Sequence, residues 1–239
     1  MYSYDMRVGF SQSDNSRRMT IPAIIDAFQD CSCFHSDDLG VGFDYLIPKD
    51  LVWIINYWEV EILHRPRYGQ KLRVGTYPYD FRGFFGYRNF CLQTVNEDGS
   101  VGESIVKANS LWLLMDWVNM RPAKVTEEMK NAYVTEEKMD MTYSPRKISI
   151  PDVPAEPLER VVVGTHHLDG NGHVNNGQYI KIAMGSLTDK DDYKRLRVEY
   201  REQAHLGDMI QPMLYRDGDI SVIVLTGEGG NIYTVVELS

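Results

Sequence analysis

Three cysteines in 239 residues, an odd number without paired spacing, give no disulfide framework and fit thiols kept in a reducing compartment. Cys31 and Cys33 could be read as a redox or metal fragment, but they fall in a helical pattern and are expected to be buried helix cysteines. No apolar run approaches the roughly 20 residues that span a bilayer. The opening MYSYDMRVGFSQ lacks the basic start and apolar stretch of a signal peptide. A soluble cytoplasmic protein with no membrane partner is therefore expected. Basic residues are also few: 25 Lys and Arg against 34 Asp and Glu leave a formal net charge of -9. That argues against a nucleic-acid partner, and an acidic partner would have to meet a local basic patch. Arg17–Arg18, Arg146–Lys147 and KDDYKRLR, with Lys190, Lys194, Arg195 and Arg197, are the candidates, although such residues more often form solvated surface.

What is present is a 43% hydrophobic content, enough for a core in one large domain or two small ones. A short strand near YDMRVGFS precedes TIPAIIDAFQDCSCFHSDDLG, where Ile21, Ile24, Ile25, Phe28 and Cys31 recur at helical spacing. Thr20 is placed to cap that helix, with Pro22 in its tolerant first turn. Four strands are expected next, LVWIINYWEVEIL, KLRVGTYPYDF, FFGYRNFCLQTV and VGESIVKANSLWLLMD, separated by turns such as RYGQ and NEDGS. Pro145, Pro151, Pro154 and Pro157 then mark residues 135–159 as a semi-rigid linker. After it the order repeats: a strand at LERVVVGT, a helix from about Asn175, and strands at KRLRVEYREQ, DMIQPMLYRD, DISVIVLTG and NIYTVVELS. VEILHRPRYGQ also lines up with VEYREQAHLGD, Val60 with Val198, Glu61 with Glu199 and Gly69 with Gly207. The expectation is an internal duplication of an α+β unit, a helix wrapped by an antiparallel sheet. The halves are 1–134 and 160–239, and side by side they would form one pseudo-dimeric body. Exposed sheet edges leave a homodimer open.

Residues 166–180, HHLDGNGHVNNGQYI, concentrate the chemistry. Asp169, Asn171 and His173 stand at i, i+2 and i+4. In an extended segment that spacing sends all three side chains to one side, and Gly170 and Gly172 argue against helix. VNNGQYIKIAMGSL follows as a helix, with Asn175 or Asn176 as N-cap and Tyr179, Ile182 and Ala183 as its buried stripe. The polar trio thus sits at a helix mouth, where unpaired N–H groups and the macrodipole can hold a developing oxyanion. Three readings compete. His166, His167, Asp169 and His173 could bind a metal, but they lack a recognised ligand spacing. The segment could be a structural Asx-turn loop. It could be a hydrolytic site, which needs a group to activate water, an amide to orient it, and N–H groups to polarise a carbonyl.

DGNGHVNNGQYI resembles the D-x-N-x-H-V-N-N-x-x-Y-I motif of the acyl-acyl carrier protein thioesterases of plant plastids and bacteria. The resemblance extends through GVGFDYL, WIINYWEVEI, YGQKLRVGTYP, ANSLWLLMD, RPAKVTEEM and VEYREQAHLGD. It implies a tandem double hotdog fold and hydrolysis of the thioester joining a fatty acyl chain to the phosphopantetheine arm of acyl carrier protein, without a cofactor or metal. It also implies an N-terminal hotdog that binds the acyl chain and a C-terminal one that carries catalysis. The first-half counterpart, DNSRRM at 14–19, keeps an aspartate but no Asn-x-His.

The chain departs from the family pattern where a glutamate, often followed by cysteine, is replaced by Gln203 and Ala204. Gln203 cannot ionise, yet it can position water or Asp169. Glu202 would face away from it on a regular strand unless a bulge intervened. Glu199 shares the face but lies two side-chain positions away. In this reading Asp169 activates water or attacks directly, Asn171 holds the carbonyl or the water, and His173 assists proton transfer or orientation. Alternatives are an acyl-CoA thioesterase of the same fold, a non-catalytic acyl-thioester-binding hotdog, and a related dehydratase. Trp53, Trp58, Trp112, Phe84, Phe85 and Met115 could wall an apolar tunnel, though large strand residues are usually plain core.

Overall fold

The computed structural model describes residues 1–169, 172–185, 187 and 193–239, so Asn171 and Lys190 lie outside the described residues. The chain divides into two compact units, one of Met1–Asn56 with Val60–Tyr143, the other of Tyr57–Glu59 with Ser144–Ser239.

The first unit runs β1 (Tyr2–Arg7), α1 (Ile21–Asp38), α2 (Phe43–Leu46), β2 (Leu51–Ile62), β3 (Lys71–Arg82), β4 (Phe85–Val95), β5 (Val101–Asp116), β6 (Arg121–Pro122) and α3 (Glu127–Ala132). Its long strands are ordered β1-β3-β4-β5-β2, with antiparallel pairing from β1 through β5. The Thr20 hydroxyl accepts from the Ala23 N–H at the start of α1, which satisfies one of the helix's orphan donors. The apolar stripe Ile21, Ile24, Ile25, Phe28 and Cys31 is buried, and the Phe28 ring packs on Phe90 of β4 at 5.2 Å. Cys31 and Cys33 are free thiols on α1, buried and half-buried. Burial pushes the Cys33 thiol up to about 11 and Cys31 higher still, leaving both protonated and inert. Trp58 is fully buried core, whereas Phe84 is exposed.

The second unit runs β7 (Glu156–Pro157), β8 (Val161–Val162), α4 (Asn176–Gly185), β9 (Arg195–Tyr200), β10 (Met209–Asp217), β11 (Ile220–Thr226) and β12 (Ile232–Leu238). Its order is β8-β10-β11-β12-β9, with β7 also on β10, and every one of those pairings is antiparallel. Strand for strand this repeats the first unit, so the tandem α+β expectation holds. Two strands are shorter than their sequence pattern suggests. The strand expected at LERVVVGT reduces to Val161–Val162. The strand expected through Gln203 ends at Tyr200, because the N–H groups of Arg201 and Glu202 both donate to the Tyr233 carbonyl, at 2.8 and 3.2 Å. Two residues opposing one is a bulge, and it ends the alternation of faces.

The Pro-rich stretch is packed. The Asn89 side-chain oxygen takes the Met139 N–H and the Tyr143 hydroxyl, and Glu61 takes the Thr142 N–H. In the second unit Glu59 accepts from the Ser144 N–H at 2.8 Å and Glu199 from the Ile148 N–H at 3.0 Å. These buried strand carboxylates supply the partners that a proline-rich chain without sheet pairing would otherwise lack. Arg195 pairs with Glu59, and Arg197 pairs with Glu237 while donating to the Tyr57 hydroxyl and the Pro145 carbonyl. Arg195 and Arg197, candidates for a landing patch, are turned into the unit instead. Among the described residues, no helix is long and apolar enough to cross a membrane.

Candidate functional site

A 3-10 turn at Thr165–His167 leads into the motif, with the Gly164 N–H donating to His167 Nδ1 at 3.0 Å. Leu168 then pairs with Val174 as an isolated bridge. The Asp169 N–H donates to the His173 carbonyl at 2.8 Å, the Gly172 N–H to the Asp169 carbonyl at 3.1 Å, and the His173 N–H to Asp169 Oδ1 at 3.2 Å. The segment therefore doubles back rather than running extended. Gly172 makes this reversal with φ at +78°, a conformation that costs glycine nothing, and the aspartate side chain closes the loop as an Asx acceptor. Asp169 and His173 meet across the neck of that turn. Asn175 follows, its side chain accepting from the Gly177 N–H at 2.8 Å. It caps α4, whose Tyr179, Ile180, Ile182 and Ala183 are buried.

Residues 201–208 come against this turn. The Ala204 N–H donates to the Tyr179 hydroxyl at 2.8 Å, tying the segment to α4, and burial pushes that hydroxyl up to about 12. The His205 ring lies edge-on to the His173 ring, centroids 6.0 Å apart. The His205 N–H donates to Asp208 Oδ2 at 2.8 Å, and the Tyr233 hydroxyl donates to the same oxygen at 3.1 Å. Gln203 is on this segment with its side chain exposed. Neither nearby glutamate substitutes for it. Glu202 accepts from Asn231 at 3.0 Å, and Glu199 is taken up by Arg201 and the Ile148 N–H. The His166 and His167 rings lie 4.0 Å apart, tilted by 47°, and burial holds His167 below the ordinary histidine range. Among the described residues no group of three or more His, Cys, Asp or Glu could hold a metal ion. A cleft of about 350 Å³ opens in the first unit beside Tyr2, His35, Tyr77 and Val134, and it shares no residue with the motif.

The first unit repeats the main bonds of this frame. The Gly9 N–H donates to Gln12 Oε1 and Ser13 pairs with Met19. The Asp14 N–H donates to the Arg18 carbonyl, the Arg17 N–H to the Asp14 carbonyl, and the Arg18 N–H to Asp14 Oδ1. The Arg67 N–H donates to Gln70 Oε1, as His205 does to Asp208. The Gly69 N–H reaches the Val8 carbonyl at 2.9 Å, as the Gly207 N–H reaches that of Val163, also at 2.9 Å. Asp169, Gly172, His173, Gln203, His205 and Asp208 thus correspond to Asp14, Arg17, Arg18, Arg65, Arg67 and Gln70. Arg65, at the position of Gln203, reaches Asp14 with a 2.6 Å ion pair. An arginine at that position is therefore within reach of the aspartate.

Burial pushes the Asp14 carboxyl up, but the Arg18 N–H and the Arg65 guanidinium more than offset it and hold the group below the ordinary carboxylate range. A depressed folded-state pKa contributes stability above the unfolded pKa, and that stability is lost as pH falls through the folded value. Arg65→Gln is therefore expected to lower the urea midpoint at pH 7. The gap to wild type should narrow as pH falls through the depressed folded-state value and Asp14 becomes protonated. A gap that stays the same size as pH falls would show that the ion pair is not its source.

Residues 1–133 match the family model for the acyl-ACP thioesterase N-terminal domain, and residues 156–232 that for the acyl-ACP thioesterase C-terminal domain. The oleoyl-acyl carrier protein thioesterase 2 of Arabidopsis thaliana is 23% identical over 90% of this chain and 63% of its own length. The palmitoyl-acyl carrier protein thioesterase of the same plant is 25% identical over 89% of this chain and 54% of its own. The chain thus spans between about half and two thirds of these curated relatives. An acyl-ACP thioesterase structure from Bacteroides thetaiotaomicron superposes with a TM-score of 0.87 at 19% identity, covering 99% of this chain and 96% of that one.

Proposed function

The chain belongs to the acyl-ACP thioesterase family, and from that premise we propose that it hydrolyses fatty acyl-acyl carrier protein to free fatty acid and carrier protein, with catalysis in the second unit. One observation carries this reading. The same hydrogen-bonded frame occurs twice, its aspartate closed by the backbone N–H of a histidine in the second unit and of an arginine in the first, where Arg65 also pairs with it. The frame closes in the first unit without an imidazole, which supports a chemical rather than a structural role for His173. Asp169 takes the water proton, His173 orients the attack, and the positive end of the α4 macrodipole stabilises the developing oxyanion. Asn171, from its place in the motif, holds the carbonyl or the water, and Gln203 positions the water or Asp169. The half before residue 135, which lacks the Asn-x-His of the motif, serves as the acyl-chain wall, the half from residue 160 as the catalytic one, and residues 135–159 join them. The protein works in the cytoplasm without cofactor, and its sheet edges leave a homodimer open.

The alternatives are an acyl-CoA thioesterase and a non-catalytic acyl-thioester binder, which the non-ionising Gln203 keeps in view. Matched acyl-carrier and acyl-CoA substrates, scored for released thiol, separate all three. Carrier preference is expected, with kcat/KM on the carrier-linked substrate falling steeply with salt. A higher kcat/KM on the coenzyme A substrate would favour the coenzyme A reading, and no thiol release from either substrate the non-catalytic one.

A further inference from the structure

If the second unit hydrolyses thioesters, as proposed above, its leaving group is an alkyl thiolate, and Gln203 cannot protonate it. We propose that His205 is a further catalytic residue, the general acid that delivers a proton to the departing sulfur.

The duplicated frame is an internal control. At the positions of His173, His205 and Asp208 the first unit carries Arg18, Arg67 and Gln70, and there the same backbone bond, Arg67 N–H to Gln70 Oε1 at 3.0 Å, forms without an imidazole or a carboxylate. The turn therefore needs neither a histidine at 205 nor an acid at 208. The second unit nonetheless sets the two imidazoles edge to face, with the Asp208 carboxylate 3.8 Å from His205 Nδ1. That carboxylate is held in place by the His205 N–H and the Tyr233 hydroxyl. The other titratable groups around the imidazole are Asp169, bonded to the His173 N–H, Tyr179 behind Ala204, and Glu202, turned to Asn231.

Exposure fixes the direction of transfer. The His205 side chain is 66% exposed, whereas His173 is half-buried. A carrier-borne pantetheine arm enters from solvent, so the sulfur lies on the solvent side of the carbonyl, on the side of the exposed imidazole. Water oxygen bonds to the carbonyl carbon as its proton passes to Asp169. The tetrahedral intermediate then collapses, the C–S bond breaks with its electron pair on sulfur, and the His205 imidazolium gives its proton to that sulfur. Asp169 returns its proton to solvent and His205 regains one there, so both groups end as they began.

A general acid matters only where the leaving group needs one. His205→Gln is expected to lower kcat about 10²-fold on an acyl-pantetheine thioester and less than threefold on the corresponding nitrothiophenyl ester, whose thiolate leaves unaided. Equal losses on both esters would reduce His205 to a structural part, and an unchanged kcat on the alkyl ester would remove it from the reaction. Either result with an active wild type overturns this inference and leaves the hydrolase reading standing. A wild type inert on every thioester overturns that reading and this inference together.

Discussion

Asp169→Asn is expected to cut hydrolysis of long-chain acyl thioesters by about 10³-fold, within the ~10²–10⁴ that a positioned acid or base contributes, without loss of fold. The substitution is nearly isosteric, and its side-chain oxygen still accepts the His173 N–H that closes the turn. What disappears is the charge and the capacity to take a proton from water. The first unit supplies the control, since Asp14 closes an equivalent turn through the Arg18 N–H. Asp14→Asn gives up part of the Arg65 ion pair, whose side chains are 18% and 20% exposed, at a cost of about 1 kcal/mol, and leaves kcat unchanged. Steady-state kinetics of the two variants, with circular dichroism to verify folding, make the comparison. An Asp169→Asn enzyme within threefold of wild type would remove this carboxylate from the reaction.

Arg195→Met is expected to destabilise the protein by about 3–5 kcal/mol, the penalty for leaving one member of a buried ion pair without its partner. Glu59 is 0% exposed, and besides Arg195 it accepts the Ser144 N–H. Methionine fills the volume of the arginine stem but leaves the carboxylate desolvated against a single N–H donor. For a chain of this size that corresponds to a fall in Tm of roughly 10 °C, at about 2–4 °C per kcal/mol. Glu59→Gln should cost less than half as much, because an amide retains the acceptor and the Arg195 charge left behind sits on a side chain that is 30% exposed and can reach water. Differential scanning calorimetry distinguishes the two. Equal losses would mean that packing around residue 59, and not its charge, sets the stability.

The fold was legible because duplication writes itself into element order. Helix-spaced Ile21, Ile24, Ile25 and Phe28 and the Thr20 cap specify α1, and Asn175 with Tyr179, Ile182 and Ala183 specify α4. The placement of the polar motif at the mouth of α4 followed from the same signals. Its internal geometry did not. A period-two spacing of Asp169, Asn171 and His173 reads as extended chain, whereas the turn is set by one glycine at positive φ and one aspartate acceptor, which periodicity does not report. The bulge at Arg201–Glu202 was hidden for a related reason, since it depends on which carbonyl of β12 lies opposite. With the alternation broken there, His205 came to the His173 ring, a meeting that regular strand geometry does not anticipate. The burial of Glu59 and Glu199 is not legible either, because both look like ordinary strand charges until the proline-rich chain donates to them.

Multiple-turnover release of free thiol from an acyl-carrier panel by the wild-type protein, run beside Asp169→Asn, tests the central claim most directly. The expected result is sustained thiol release in excess of enzyme, nearly abolished in the variant. Substrate that binds wild type and stays intact through a long incubation would contradict it, and would leave the second unit a receptor for acyl thioesters rather than their hydrolase.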